Sequence, residues 1–308
     1  MLDLELLGHG LGLAFRTDVG ELPHRVEVWR GAFYGNPYRG KHMTVQLQML
    51  FGDDVGIRAS WEDEVDRLIR DGALFVSNHS GGKDSQIQLI RLLERVPASQ
   101  LLVVHASLGA MEWPGAMELA RDQAADAALP FIVATASKTL LEMVERRYES
   151  RPEVPSWPSA TTRQCTSDLK RGPIQREVRR YAKANGFKTI VNCLGLRAQE
   201  SPGRAKRAAF SRMGISNSVH TWFEWLPIHD MSATEVFDAI AVAGQKPHYA
   251  YALGNDRLSC VFCVMASKAD LRNGRVARPE LFEQYVELEQ RTGYTMHMNR
   301  IPLVELVA

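Results

Sequence analysis

Long apolar runs are missing from this sequence. Nowhere in its 308 residues do about 18 apolar side chains follow one another, the length a helix needs to cross a bilayer. No membrane association is therefore expected. The opening "MLDLELLGHGLGLAF" carries acids but neither a basic flank nor a cleavage-like site. It reads poorly as a secretory leader, which makes the cytoplasm the expected compartment. Cysteine is scarce: Cys165, Cys193, Cys260 and Cys263 are all there are. In a reducing compartment a disulfide framework is not expected of them. Internal repeats and low-complexity tracts are also lacking.

Acids are scarce in one stretch. Residues 163–212 hold 13 Lys or Arg against 3 Asp or Glu, although the whole chain nets only +1. A basic block inside a balanced protein suggests a polyanionic partner, either nucleic acid or a phosphorylated nucleotide. For the helical part, "PIQREVRRYAKANG", a solvated helix face accounts for the charges equally well. The Arg-rich loop after it favours function.

What is present fits an ordinary globular protein: 45% hydrophobic and 24% charged residues, on a chain long enough for a large core. Residues 1–60 are rich in Gly, Pro and aromatics without sustained periodicity, and irregular structure is expected there. From Trp61 the pattern alternates. "WEDEVDRLIRDG" reads as a helix, "ALFVSN" as a buried strand and "DSQIQLIRLLERV" as a helix. "QLLVVHAS", "WPGAMELARDQAADAA", "PFIVAT" and "KTLLEMVERRYE" repeat the strand–helix order, the third helix with proline in its first turn. A Pro-rich loop, a helix over 173–185 and the strand "KTIVNCLGL" come next. "TWFEWLPI" reads as a strand and "SATEVFDAIAVAG" as a serine-capped helix. Near-continuous apolar strands separated by helices predict an α/β fold, a parallel twisted sheet with helices on both faces. The expected organisation is an extension (1–60), an α/β domain (61–256) and a C-terminal CxxC segment with a helix (257–308).

The segment "ALFVSNHSGGKDSQIQLI" carries the clearest chemistry. It predicts a strand, a Gly-rich turn and a helix, and in a parallel sheet ligands sit at the carboxyl ends of strands. A helix N-terminus there offers free N–H groups and partial positive charge. Gly81 and Gly82 let the backbone approach an anion, Ser80 and Ser85 offer hydroxyls, and Lys83 adds a point charge. Asp84 can cap the helix or face a magnesium ion. His79 reads as a turn residue, with no second histidine at metal spacing. The Walker pattern fails, since Ser77 stands where it needs glycine and Asp84 where it needs Ser or Thr. The G-x-G-x-x-G pattern fails too. After the fourth strand, Arg197, Arg204 and Lys206 can pair with phosphate or sulfate, and Glu200 and Ser201 can orient those arginines or a metal.

"SGGKDS" resembles the pyrophosphate loop of the ATP-pyrophosphatases (PP-loop). Together with "HASLGAMEWPG", "RQCTSDLKRGPI", "GLRAQESPGRAKR" and "SCVFCVMAS", it is similar to the phosphoadenosine-phosphosulfate (PAPS) reductase-like branch. Within that branch it looks closest in motifs to the sulfur-transfer enzymes of DNA phosphorothioation (DndC-like). The resemblance covers about residues 61–275. It implies the adenine nucleotide alpha hydrolase-like fold, with ATP and Mg2+ as cofactors. It further implies adenylylation of a substrate for sulfur transfer, to DNA or another nucleic acid held through 163–212, with a cysteine desulfurase as sulfur donor. Lys83, Asp84 and Arg197 would be catalytic. Ser80, Gly81, Gly82, Ser85, Glu200, Ser201 and Arg204 would join Lys83, Asp84 and Arg197 in binding the nucleotide. Ser107 departs from the pattern, standing where relatives often carry aspartate. The Glu-Cys-Gly-type segment of assimilatory PAPS reductases is not found, which weighs against simple PAPS reduction. Reduction of a sulfonucleotide is the alternative activity, and a nucleic-acid-binding module on a degenerate nucleotide fold the non-enzymatic one.

Thiols complete the expectations. A C-x-x-C in a loop can hold zinc, a cluster or a redox disulfide. Cys165, Cys260 and Cys263 are the expected metal ligands, for a [4Fe–4S] cluster or, alternatively, zinc. Cys193 could be a fourth ligand but equally a core residue of an apolar strand.

Overall fold

Residues 60–308 are described in a computed structural model of the chain, so the irregular structure expected for 1–60 lies outside the described residues. Helix α1 (Trp61–Arg70) leads into strand β1 (Leu74–Asn78) and helix α2 (Lys83–Leu93). Strand β2 (Leu101–Ser107), α3 (Ala116–Asp126), β3 (Phe131–Thr135) and α4 (Leu140–Ser150) continue the alternation. Next come the short α5 (Gln164–Thr166), a π-helical turn (Ser167–Arg171), α6 (Gly172–Ala184) and β4 (Thr189–Cys193). One-turn α7 (Pro202–Ala205), β5 (Phe210–Arg212), β6 (Thr221–Trp225) and α8 (Ala233–Val242) follow. Helices α9 (Lys268–Ala277), α10 (Pro279–Thr292) and α11 (Leu303–Leu306) come last.

The strands form one six-stranded sheet in the order β3-β2-β1-β4-β6-β5. The first five in that order run parallel, as the sequence predicts, and β5 pairs antiparallel with β6 at the edge. A three-residue strand gives no periodic signal, so this edge was not expected. Alternate side chains serve opposite faces. Phe75, Val103, Val191 and Trp225 pack with Val65, Leu89 and Ala124 of α1, α2 and α3. Leu74, Leu102, Ile190 and Trp222 pack with Val178 and Ala182 of α6. With both faces buried, every strand position gains from being apolar, by about 1.5–3 kcal/mol for a large side chain.

Helix starts follow local chemistry. Ser60, Thr139, Ser232 and Ser267 each close a capping box, on α1, α4, α8 and α9. Helix α3 starts later than its sequence predicts. Gly115, at φ 88°, precedes Ala116, so Pro114 stays outside the helix and Trp113 is buried in the core. Helix α2 has no side-chain cap; its N-cap is Gly82. The segment 257–308 shares a core with residues far upstream: Phe262, Tyr285 and Leu303 pack with Met111, Trp157 and Leu169.

Candidate nucleotide site and thiol cluster

From β1 the chain winds through β2 to β3 on one side, then returns to place β4 on the other side of β1. The crevice between β1 and β4 is therefore the switch point, where open α/β sheets bind ligands. Asn78 Nδ2 ties the two strand ends by donating to Asn192 Oδ1 (2.8 Å) and the Cys193 carbonyl (2.9 Å). Both expected anion-binding segments, after β1 and after β4, open into this crevice.

Backbone geometry explains the glycines. Gly81 has φ 75°, and a Cβ there would lie 2.3 Å from the Ala116 carbonyl oxygen. Gly195, to which the sequence assigned no role, brings the β4 loop so close that its Cβ would lie 2.6 Å from the Asp84 carbonyl oxygen. Ser85 accepts from the Ser80 amide (3.1 Å) and donates to the Gly82 carbonyl (2.8 Å), which closes the turn. Lys83 is only 3% exposed, its Nζ donating to Asp84 (3.3 Å) and to the Asp256 carbonyl (3.2 Å). Its ammonium also lies over the rings of Tyr251 and Phe237, 4.9 and 5.7 Å from their centroids, a cation–π setting.

Arg197, 5% exposed, spans the switch point: its Nε donates to Asp84 Oδ1 at 2.6 Å. Glu200 accepts from the Arg197 amide (3.0 Å) and pairs with Arg204. Burial works against the Glu200 carboxylate, yet these partners hold it below its ordinary range. Ser201 caps α7 by accepting from the Arg204 amide. Glu200 thus holds the Arg204 side chain and the Arg197 backbone, while Ser201 touches only the Arg204 backbone. Lys206 is exposed.

His79 supports the turn from beneath. Its Nδ1 accepts from the Gly81 amide (3.1 Å), which leaves Nε2 to donate to Gln123 Oε1 at 2.6 Å. Gln123 continues to the Gln86 carbonyl and to Gln245. Burial pushes the His79 pKa down to about 4. Between that value and the ordinary 6.5, the unfolded chain takes up a proton that the folded chain refuses. The stability this group protects is thus complete above about pH 6.5 and is lost as pH falls towards about 4, by up to ~3 kcal/mol. Urea unfolding at several pH values should show this loss, and His79→Gln should flatten it. An equally steep dependence in that variant would show that other groups carry it.

One residue at the site carries no sequence signal. Tyr251 lies in the 3-10 turn Tyr249–Tyr251 and its hydroxyl oxygen accepts from the Lys83 amide at 3.0 Å. The Leu258 amide donates to the same oxygen, and burial keeps the hydroxyl protonated by raising its pKa. Two N–H groups aimed at one oxygen are what a phosphate would meet at the start of α2. A phosphate bound there displaces the phenol. Tyr251→Phe is therefore expected to tighten pyrophosphate binding a few-fold, on the order of 1 kcal/mol, in calorimetric titration. Weaker binding would mean that the hydroxyl itself serves the phosphate.

The structure divides the four cysteines. Cys193 is fully buried among Phe75, Leu89 and Trp225 on the sheet face beneath α2, and burial drives its pKa far up. That corrects its expected place as a fourth ligand, because apolar packing accounts for it completely. Cys165, Cys260 and Cys263 share another neighbourhood. Each acts on the charge of Lys170, and Cys260 stands opposite Glu112 in an isolated bridge. Burial pushes Cys260 up to about 11, while Lys170 pulls the other way. Burial likewise raises Cys165. Among the described residues, no three His, Cys, Asp or Glu side chains stand at metal-holding spacing. The donor type nevertheless suits a soft metal. Tyr285, near enough for all three thiols to raise its pKa further, has a buried hydroxyl with no hydrogen-bond partner. Glu112 accepts from His105 Nε2 (2.8 Å) and from the Leu108 amide. Burial opposes its charge, but these donors hold the carboxyl below its usual range.

The basic stretch is partly satisfied within the chain. Arg176 and Arg180 pair with Glu177, and Arg179 stacks over Trp222. Arg171, Lys183, Lys188 and Arg212 are exposed. Among the described residues, no helix is long and apolar enough to cross a membrane.

Comparison with known proteins agrees with the motifs. Residues 74–266 match the phosphoadenosine phosphosulfate reductase domain. An uncharacterized protein of Methanocaldococcus jannaschii is 26% identical over 219 residues, 71% of this chain and 48% of that protein. An uncharacterized 37.8 kDa protein of Escherichia phage 186 is 27% identical over 135 residues, 44% of this chain and 39% of that one. The chain thus spans about half or less of these curated relatives. Among solved structures, phosphoadenylyl-sulfate reductase from Candida auris is similar, with TM-score 0.44 and 13% identity, covering 67% of this chain and 90% of that one. So is a U34-tRNA thiolase from Methanococcus maripaludis with its [4Fe–4S] cluster, with TM-score 0.35 and 12% identity over 75% of this chain and 76% of that one.

Proposed function

Because the chain belongs to the phosphoadenosine phosphosulfate reductase domain family, we propose that it is a cytoplasmic ATP-pyrophosphatase that adenylylates a substrate for sulfur transfer, akin to the DndC-like branch. One observation carries this reading: a helix start whose first amide is covered only by the Tyr251 hydroxyl, a buried lysine and a buried arginine converge at the switch point of the sheet. That is a site for a multiply charged anion.

The chemistry requires a substrate oxygen to attack the α-phosphorus of ATP. The bond from that phosphorus to the bridging oxygen breaks, and pyrophosphate leaves with the electron pair. The α2 amides, Lys83 and Arg197 stabilise the charge that builds on it. Asp84 holds Arg197 in place. A sulfur nucleophile then displaces AMP from the activated carbon or phosphorus. In this reading a cysteine desulfurase supplies the sulfur and residues 163–212 help hold a nucleic-acid acceptor.

Asp84 would be the residue to face a magnesium ion, and it shares its oxygens with Arg197 and Lys83. No step is assigned to that ion. Cys165, Cys260 and Cys263 would hold a [4Fe–4S] cluster or zinc. A cluster there would supply a place for sulfide beside the nucleotide. The match to the phosphoadenosine phosphosulfate reductase domain favours a second reading, reduction of a sulfonucleotide. The test gives anaerobic protein ATP, magnesium, sulfide and an oligonucleotide in one arm, and PAPS with a thiol reductant in the other. Pyrophosphate in the first arm carries the proposal, and sulfite in the second without pyrophosphate in the first carries the alternative.

A further inference from the structure

Four cations and no carboxylate border one cavity beside α4. It measures about 300 Å3 and is lined by Lys138, Arg146, Arg147, Arg151 and Gln164, with only Met143 and Ser150 besides. Two of the cations have internal partners. Lys138 lies 3.5 Å from Asp168, and Arg147 donates to the Pro155 carbonyl and to Gln164. Arg146 and Arg151 have no hydrogen-bond or ion-pair partner among the described residues. Like charges gathered round a hollow repel one another, and an anion in the hollow relieves them all at once.

Position says which anion. A second cavity of about 300 Å3 lies at the carboxyl ends of β2 and β3, lined by Ser107, Thr135, Lys138, Leu169 and one carboxylate, Glu142, which accepts from the Thr139 amide. Lys138 borders both cavities, so they adjoin. The two cavities thus run on from the ligand edge of the sheet into the basic hollow. A single small anion would occupy one cavity. A chain of linked phosphates would occupy both.

We propose that this cavity seats backbone phosphates of a polynucleotide acceptor and leads the strand towards the carboxyl ends of β2 and β3. The inference rests on the sulfur-transfer reading above and names its acceptor class. It also places the main phosphate contacts at residues 138–151, upstream of the arginine-rich stretch, where Glu177 offsets part of the helix charge.

The test is fluorescence anisotropy of the full chain with a short labelled oligonucleotide, DNA in one arm and RNA in the other. Arg146→Gln combined with Arg151→Gln should weaken binding about tenfold or more at low salt. Losing two phosphate contacts should also flatten the log–log salt slope by about 1.5. Both residues are exposed, so the thermal transition should not move, and pyrophosphate release without acceptor should stay at its basal level. Unchanged affinity and slope would overturn the proposal, as would an unmodified protein that binds neither oligonucleotide. So would loss of adenosine 3′,5′-bisphosphate binding with oligonucleotide binding intact, because the hollow would then serve a mononucleotide. If the oligonucleotide effect is seen in a protein that never releases pyrophosphate, the adenylylation reading fails and the cavity assignment stands.

Discussion

Asp84→Ala is expected to lower ATP-dependent pyrophosphate release by about a hundredfold or more, and Asp84→Asn by a comparable factor. The reason is positional. Asp84 stands at the first turn of α2 and reaches Arg197 across the switch point at 2.6 Å, with Lys83 Nζ at 3.3 Å. Without it, the two cations that the proposed mechanism directs at pyrophosphate lose the group that orients them. Loss of one preorganised electrostatic contact commonly lowers kcat by about 10²–10³. Asparagine keeps the shape and can still accept from Arg197, so it separates charge from packing. Removing a negative charge beside an anion site should also leave ATP binding intact or tighter, so the loss should fall on kcat and not on KM. A steady-state assay that couples pyrophosphate to a chromogenic reaction reads both. Undiminished kcat in both variants would remove Asp84 from the machinery and leave it a structural counter-ion.

The sequence made this turn legible because its parts are local. Strand, paired glycines, lysine and helix fall within a few residues of each other, and each acts through its own backbone. The parallel sheet was legible for a similar reason, since strands buried on both faces lose their alternation. Contacts between distant segments were not. Asp84 and Arg197 are 113 positions apart, and only the jump of β4 to the far side of β1 joins them. Tyr251 covers the helix start from 168 positions away, and a lone tyrosine has no spacing to betray it. The apolar strand around Cys193 already set it apart from Cys165, without deciding between ligand and core. What decides is that one points into a sheet face and the other lies ahead of a π-helical turn. Such a turn inserts one residue into a helix and leaves no mark in composition.

Cys260→Ser and Cys165→Ser are each expected to abolish metal binding by the anaerobically prepared protein, whereas Cys193→Ala should retain it. With a [4Fe–4S] cluster, iron and acid-labile sulfide should each approach about four per chain, and zinc should appear instead if the site is structural. Burial raises the Cys260 thiol to about 11, so near neutral pH the free thiol keeps its proton. A metal must displace it. Binding should therefore release protons and strengthen as pH rises. Lys170, held close to all three sulfurs, offsets part of the negative charge this leaves, and the unpartnered Tyr285 hydroxyl gains an acceptor. Cys193 gains nothing, because it packs among apolar side chains with its thiol on the Val191 carbonyl, and alanine there removes one buried sulfur at a cost of about 1 kcal/mol. Elemental analysis of the four proteins decides the matter. Metal retained in both serine variants would place its ligands elsewhere. A metal-free protein whose Cys165, Cys260 and Cys263 variants all keep full activity would show that these thiols hold no centre.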